Sequence, residues 1–208
     1  MTNPRCLFSC VAVVLFVLAS TSTIALGQGS KPPTAAVRNL DVQLHLLLAS
    51  NEAGEKGNLP QSLDPIIRQL KSSLSFSNYR LATNFVNRVK DGGTLESRGL
   101  IASNIFLPAV NNPVPPTAYE FTLAKMKLDD DLTNIDIPRF RFGLSIPVIT
   151  GVIRGEGNAP ATPAINYQPA SINTEISLTE GTPTVVGTMN TTRSDQMLIL
   201  VITVKRAQ

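Results

Sequence analysis

Cysteine is nearly missing from this chain. Its two cysteines, Cys6 and Cys10, both lie at the extreme N-terminus. Removal of residues 1–27 would leave about 180 residues with no disulfide, no thiolate nucleophile and no thiolate metal ligand. A chain of that size buries enough apolar surface to fold without disulfides. A disulfide-stapled extracellular module is therefore excluded.

Tryptophan is absent, and charge is scarce. Charged residues make up 16% of the chain, the formal net charge is +3, and no block of lysines or arginines occurs. Binding to nucleic acid is therefore not predicted. The 15 prolines favour a β-rich domain with punctuated loops over a helical bundle.

The N-terminus has the three zones of a secretory signal. Arg5 is the only charge in residues 1–27, an apolar run follows from Leu7 to Ala19, and small residues end the segment. The run has the length of a signal-peptide core and is short for a membrane span. We predict cleavage between Gly27 and Gln28, with export to the periplasm or the extracellular space.

An uncleaved anchor is the alternative for the same segment. Residues 6–30 carry no charge, and about twenty such residues could span a bilayer. The Ser and Thr residues at 20–23 dilute the hydrophobicity that a stable span requires, which favours cleavage. No stable membrane span is then expected after processing.

The rest of the chain divides at a proline- and asparagine-rich stretch. The predicted organisation is a flexible leader at 28–39, a strand-helix-strand-strand lobe at 40–107, a connector at 108–116, and an antiparallel β lobe at 117–208.

The first lobe is predicted to hold the only helix. Apolar residues recur at helical spacing over 62–74, with Ser62 as the expected cap. A strand precedes the helix at 40–48, and two strands follow at 79–89 and 94–101. The Asp-Gly-Gly sequence at 91–93 predicts a tight hairpin turn between them.

The second lobe is predicted to be all β. Its expected strands are 119–128, 135–144, 171–178, 183–188 and 197–204, with a long loop at 155–169. The last strand is apolar enough to be buried on both faces. The predicted fold class is α+β, mainly β: one helix packed on the N-terminal unit, followed by an antiparallel sheet or small sandwich.

Two segments resemble bacterial secretin-type outer-membrane channel proteins. Residues 172–187 and 198–204 resemble the strand, glycine turn, strand and apolar strand near the end of those proteins, and the unit at 40–101 is similar to their small periplasmic ring domains. The resemblance implies a bacterial envelope setting and an accessory or assembly role.

Arg139-Phe140-Arg141-Phe142 is a strict alternation. A strand with this pattern places both phenylalanines on one face and both arginines on the other. Arg139 and Arg141, joined by Arg154, are candidate contacts for a polyanion or a partner. The alternative is the solvated face of an amphipathic strand.

No catalytic, cofactor or metal site is predicted. His45 is the only histidine, and a structural position is favoured for it. The aspartates at 129–131 lack the alternate spacing and the glycine of a calcium loop, so they are interpreted as a hairpin turn.

The leading hypothesis is therefore an exported, non-enzymatic structural, binding or assembly component of the cell envelope, with an envelope protein or polymer as partner. An exported hydrolase is the second hypothesis, with carboxylates brought together by the fold, such as Asp64, Glu96, Glu120 and Asp136. A membrane-tethered envelope protein with an uncleaved anchor is the third.

Overall fold

The computed structural model describes residues 38–52, 57–103, 115–129, 131, 133–153, 162–191 and 193–207. The predicted signal peptide with its cleavage site at Gly27 and Gln28, nearly all of the predicted leader, Arg154 and most of the predicted connector lie outside these ranges.

Nine strands and one α-helix make up the described fold, with a short 3-10 helix at Gln61–Leu63. The elements in chain order are β1 (Asn39–Ser50), α1 (Asp64–Ser73), β2 (Asn78–Lys90), β3 (Leu95–Ile101), β4 (Thr117–Ala124), β5 (Lys127–Leu128), β6 (Asn134–Ile153), β7 (Thr162–Thr179), β8 (Thr184–Asn190) and β9 (Gln196–Arg206).

Four strands form sheet A in the order β2-β1-β9-β8, with every pair antiparallel. The first strand thus pairs with the last along its whole length, from Leu40 opposite Arg206 to Ser50 opposite Gln196. β9 is buried on both faces, as predicted: Leu198, Leu200, Ile202 and Val204 lie in one apolar cluster, and Ile199 and Val201 in another.

The predicted helix is confirmed as α1 with the 3-10 turn before it. Its buried residues Ile66, Ile67 and Leu70 pack on the outer face of sheet A, against residues such as Leu47 and Val201. The cap prediction for Ser62 is wrong, because Leu63 occupies the N-cap and no side chain caps the helix. The apolar stripe is what holds α1 in place.

The predicted hairpin between the second and third strands is also wrong. The turn exists, with Gly92 at φ 75° and the Gly93 N–H bonded to the Lys90 carbonyl at 2.8 Å. However, β2 pairs with β1 in sheet A, whereas β3 pairs with β4 in the other sheet. The Gly92 N–H donates to the Met126 carbonyl at 2.7 Å, so this turn carries the chain from one sheet to the other.

In sheet B, β3 pairs with β4, and β4 and β5 pair with different parts of β6 along one edge. β7 pairs with the opposite edge of β6. β5 and β6 are joined by the aspartate-containing segment, which confirms the predicted hairpin turn there. β6 and β7 are longer than expected, and residues 162–169 of the predicted loop belong to β7. β7 has no hydrogen-bonded neighbour other than β6 among the described strands, so its prolines meet no second ladder.

The two sheets pack face to face. One apolar cluster contains residues of both, including Leu44 and Leu200 of sheet A and Phe121, Phe140 and Phe142 of sheet B. Phe85 of β2 reaches across to sheet B, with its ring centroid 5.5 Å from that of Phe121. Burial of these large side chains is the main stabilising term of the fold.

The predicted fold class is confirmed: the described part of the chain is mainly β, with one α-helix and two antiparallel sheets. Both sheets take strands from each side of the predicted connector. The division into lobes at 40–107 and 117–208 stays a prediction.

Candidate functional site

The most distinctive exposed feature is a two-stranded ribbon formed by residues 146–153 of β6 and 162–168 of β7. Up to Ser145, β6 lies between β7 and either β4 or β5 over most of its length. Beyond Ser145 it pairs only with β7 among the described strands, through contacts such as Val152 opposite Pro163. The ribbon starts with two buried residues, Ile146 and Pro147, and becomes exposed from Ile149 onward. It has two open edges within the described fold.

The ribbon is uncharged and partly apolar. No Asp, Glu, Lys, Arg or His occurs in residues 142–153 or 162–174. Val152 is 64% exposed, Ile153 62% and Tyr167 47%. Aliphatic and aromatic side chains grouped on a projecting element, without charges to keep them solvated, are typical of a surface that is covered by another molecule.

The predicted alternation in β6 has the expected consequence. Phe140 and Phe142 are fully buried between the sheets, whereas Arg139 and Arg141 are exposed on the outer face of sheet B. The role of Arg139, Arg141 and Arg154 as polyanion or partner contacts stays a prediction, and Arg154 lies outside the described residues.

The structure adds two residues to this outer face that the sequence analysis did not group with Arg141. Glu120 of β4 lies beside it, with an oxygen 3.8 Å from the Arg141 guanidinium. Arg98 of β3 approaches the same carboxylate from the other side, at 3.9 Å. The alternation of β3 signals that Glu96 and Arg98 share a face, but only the strand pairing brings Arg98 to Glu120.

A groove of about 780 Å³ lies on the outer face of sheet A, on the part that α1 leaves uncovered. Asp41 and Arg88 form a bidentate ion pair there, with a closest distance of 2.7 Å. The hydrogen bond from Arg88 holds the pKa of Asp41 below its usual range. Because this pair is mutually satisfied and solvated, the groove offers mixed polar contacts rather than one strong binding group.

His45 lies on the same face of sheet A, between its cross-strand neighbours Asn84 and Val201. It is 1% exposed, and neither ring nitrogen has a hydrogen-bond partner within the described part of the structure. Burial lowers the pKa of His45. The structural interpretation of His45 stays a prediction.

The carboxylates named for a hydrolase lie on different elements. Asp64 starts α1, whereas Glu96, Glu120 and Asp136 lie on three strands of sheet B. The groove on sheet A is lined by none of the four. Glu120 alone among them lines a smaller depression on the outer face of sheet B. Asp136 accepts a hydrogen bond from the Ser177 hydroxyl at 2.7 Å. The hydrolase hypothesis stays a prediction.

No group of three or more His, Cys, Asp or Glu side chains that could hold a metal ion occurs among the described residues. Within the same residues, no helix is long and apolar enough to cross a membrane.

Comparison with known proteins gave structural matches only. No family model and no curated protein matches the chain. It is similar to InvG, a type III secretion injectisome secretin of Salmonella, at 12% identity and a TM-score of 0.38, covering 99% of this chain and 66% of that chain. It is also similar to the type II secretin GspD of enteropathogenic Escherichia coli, at 8% identity and a TM-score of 0.38, covering 100% of this chain and 75% of that chain.

A third match is the type IV competence pilus secretin PilQ of V. cholerae, at 9% identity and a TM-score of 0.33, covering 82% of this chain and 58% of that chain. The resemblance to secretins predicted from the sequence is thus found again in the structural comparison. The identities of 8 to 12% and the TM-scores of 0.33 to 0.38 make it a weak resemblance.

Proposed function

We propose that this protein is an exported, non-enzymatic assembly component of the cell envelope that binds a partner protein through the ribbon of residues 146–153 and 162–168. The observation that carries the proposal is the exposure of Ile149, Val152, Ile153 and Tyr167 on an uncharged, two-stranded projection. The signal peptide predicted at 1–27 supports the export part of the proposal.

Residues 149–153 of the ribbon are exposed, and β7 is the only strand that pairs with them in the described fold. A two-stranded hairpin without a packed face is marginally stable in water. When a partner covers the exposed apolar side chains of both strands, the free energy of the complex is lowered by their burial. Within the described fold, the edges of β6 and β7 in the ribbon pair with no further strand, so they offer backbone N–H and C=O groups to an added strand.

Position-specific photocrosslinking in intact envelopes tests the proposal. A photoreactive residue at Val152 is expected to give a crosslinked product, because that position lies on the ribbon. The same residue at Val86 serves as the matched control, since Val86 is 68% exposed on β2 of the other sheet. The mass of the product distinguishes a second copy of this chain from a different protein, and either one supports binding through the ribbon.

A charge substitution supplies the complementary test. Val152→Glu with Ile153→Glu should abolish the crosslink placed at Ile149, since charge burial opposes association. Val86→Glu should leave it intact. The proposal is overturned if no product forms at Val152, or if Val86 gives the same yield.

The predicted processing has its own measurement. Mass spectrometry of the protein isolated from envelopes is expected to give Gln28 as the first residue. Detection of residues 1–27 in the isolated protein would instead support the tethered alternative.

A further inference from the structure

The outer face of sheet B contains a shallow depression of about 450 Å³. It is concave because its floor is built from small residues on adjacent strands: Ala118, Gly143, Ser145 and Ser171. Arg98 and Arg141 stand at its sides, and Glu120 lies between them.

The two guanidinium groups have unused hydrogen-bonding capacity. Their closest approaches to Glu120 are 3.9 Å for Arg98 and 3.8 Å for Arg141. Both distances exceed the range of a hydrogen bond. Both residues line the depression, and their side chains are 76% and 63% exposed, so their donors are accessible to solvent.

One carboxylate cannot satisfy both groups. Arg98 and Arg141 lie on strands separated by β4, and these strands are about 9 to 10 Å apart. They are also offset along the strands, because Arg98 lies opposite Glu120 and Arg141 lies opposite Thr122. A carboxylate has two oxygens and fills one guanidinium fork, whereas a phosphate presents three oxygens and can accept from two. With two cations against one anion, the depression also keeps an excess of positive charge.

We propose that the depression between Arg98 and Arg141 is a binding site for a phosphate group, carried either by a soluble phosphate compound or by a lipid headgroup. Glu120 acts in this site as a built-in competitor that positions both arginines and weakens anion binding. The proposal is independent of partner binding by the ribbon, because none of these three residues belongs to it.

The site differs from the basic strand face predicted from the sequence. Arg139 lies opposite Ala124, outside the residues that line the depression. Arg98 takes its place as the second cation. This difference supplies a matched control, because Arg139 and the exposed Arg68 of α1 can be replaced together to remove the same two charges elsewhere.

Titration calorimetry at low salt with inorganic pyrophosphate, and flotation with phosphatidylglycerol vesicles against phosphatidylcholine vesicles, test the site. The affinity of the Arg98→Gln, Arg141→Gln double variant for the probes should be lower by roughly tenfold or more, because each charge-assisted hydrogen bond contributes strongly to binding. The Arg68→Gln, Arg139→Gln control should bind within about twofold of the wild type. Glu120→Gln should bind more tightly than the wild type, since the competing carboxylate is removed.

The two probes distinguish the sources of the phosphate. Binding of pyrophosphate that depends on Arg98 and Arg141 supports a soluble ligand, and vesicle flotation with the same dependence supports a headgroup. The proposal is overturned if neither probe binds, if the control variant loses as much affinity as the site variant, or if Glu120→Gln weakens binding. The ribbon crosslink should be unchanged in the Arg98, Arg141 variant, so failure of one proposal does not imply failure of the other.

Discussion

β9 and the β6–β7 ribbon are both antiparallel β-structure rich in aliphatic residues, yet they are in opposite environments. β9 is covered on one face by sheet B and on the other by α1 and the residues around it. Beyond Pro147, the ribbon has exposed side chains on both strands and open edges in the described fold. Apolar character in a strand therefore stabilises the fold in one case and leaves a surface available for binding in the other.

The largest effect is expected from a matched pair of truncations in these two regions. Leu200 of β9 is fully buried, so Leu200→Ala should lower the free energy of unfolding by about 2 to 5 kcal/mol. Val152→Ala in the ribbon should change it by less than about 0.5 kcal/mol. Chemical denaturation measures both, and a comparable loss from the two variants would show that the ribbon is covered within the monomer.

An intermediate effect is expected from His45 on the α1-covered face of sheet A. Burial lowers the pKa of His45 from its ordinary value of 6.5, so the unfolded chain takes up a proton more readily than the folded chain. Stability should therefore fall as the pH decreases from about 7.5 to about 5.5.

Two variants separate this titration from packing. His45→Leu and His45→Gln should both remove the pH dependence in that range, and His45→Leu should be the more stable because it leaves no unpaired polar atom buried. Denaturation midpoints across the range provide the measurement. Persistence of the wild-type slope in both variants would assign it to other groups.

The smallest effect is expected at the end of sheet A that α1 leaves uncovered. Asp41→Asn removes an exposed ion pair with Arg88, and the shift in Tm should be smaller than for any destabilising variant above. Arg88 lowers the pKa of Asp41, so the ion pair stabilises the folded state at pH values above the usual aspartate pKa. This stabilisation is lost as the pH falls through the lowered pKa.

Salt and acid provide the checks on this pair. The difference in Tm between wild type and Asp41→Asn should shrink in high salt and at about pH 3. A difference that is unchanged by both treatments would mean that Asp41 acts through packing rather than through charge.

Local patterns predicted most of the elements. The stripe of Ile66, Ile67 and Leu70 predicted α1, because an amphipathic helix must bury one face. The period-2 alternation of Phe140 and Phe142 predicted which side chains of β6 are buried. The failed cap at Ser62 and the overlong loop at 155–169 are boundary errors, which come from tertiary packing overriding local preference.

The candidate surfaces were only partly predictable. Arg141 was identified from its own strand, but its neighbours Glu120 and Arg98 come from strands that pair with β6 or β4. The ribbon was partly assigned to a loop, because the prolines of 162–169 are turn residues in most contexts. An open edge tolerates them, and whether an edge is open depends on the other strands.

By itself, the sequence determined the scarcity of cysteine and charge, the helix, the apolar last strand and the alternating burial of Phe140 and Phe142, because these follow from composition and from periods of 3.6 and 2 residues. Only the tertiary structure decided that β1 pairs with β9, that the Gly92 turn crosses between sheets, and that Arg98 meets Glu120. Pairing between strands distant in the chain depends on how complete faces fit together, and no local pattern encodes that fit.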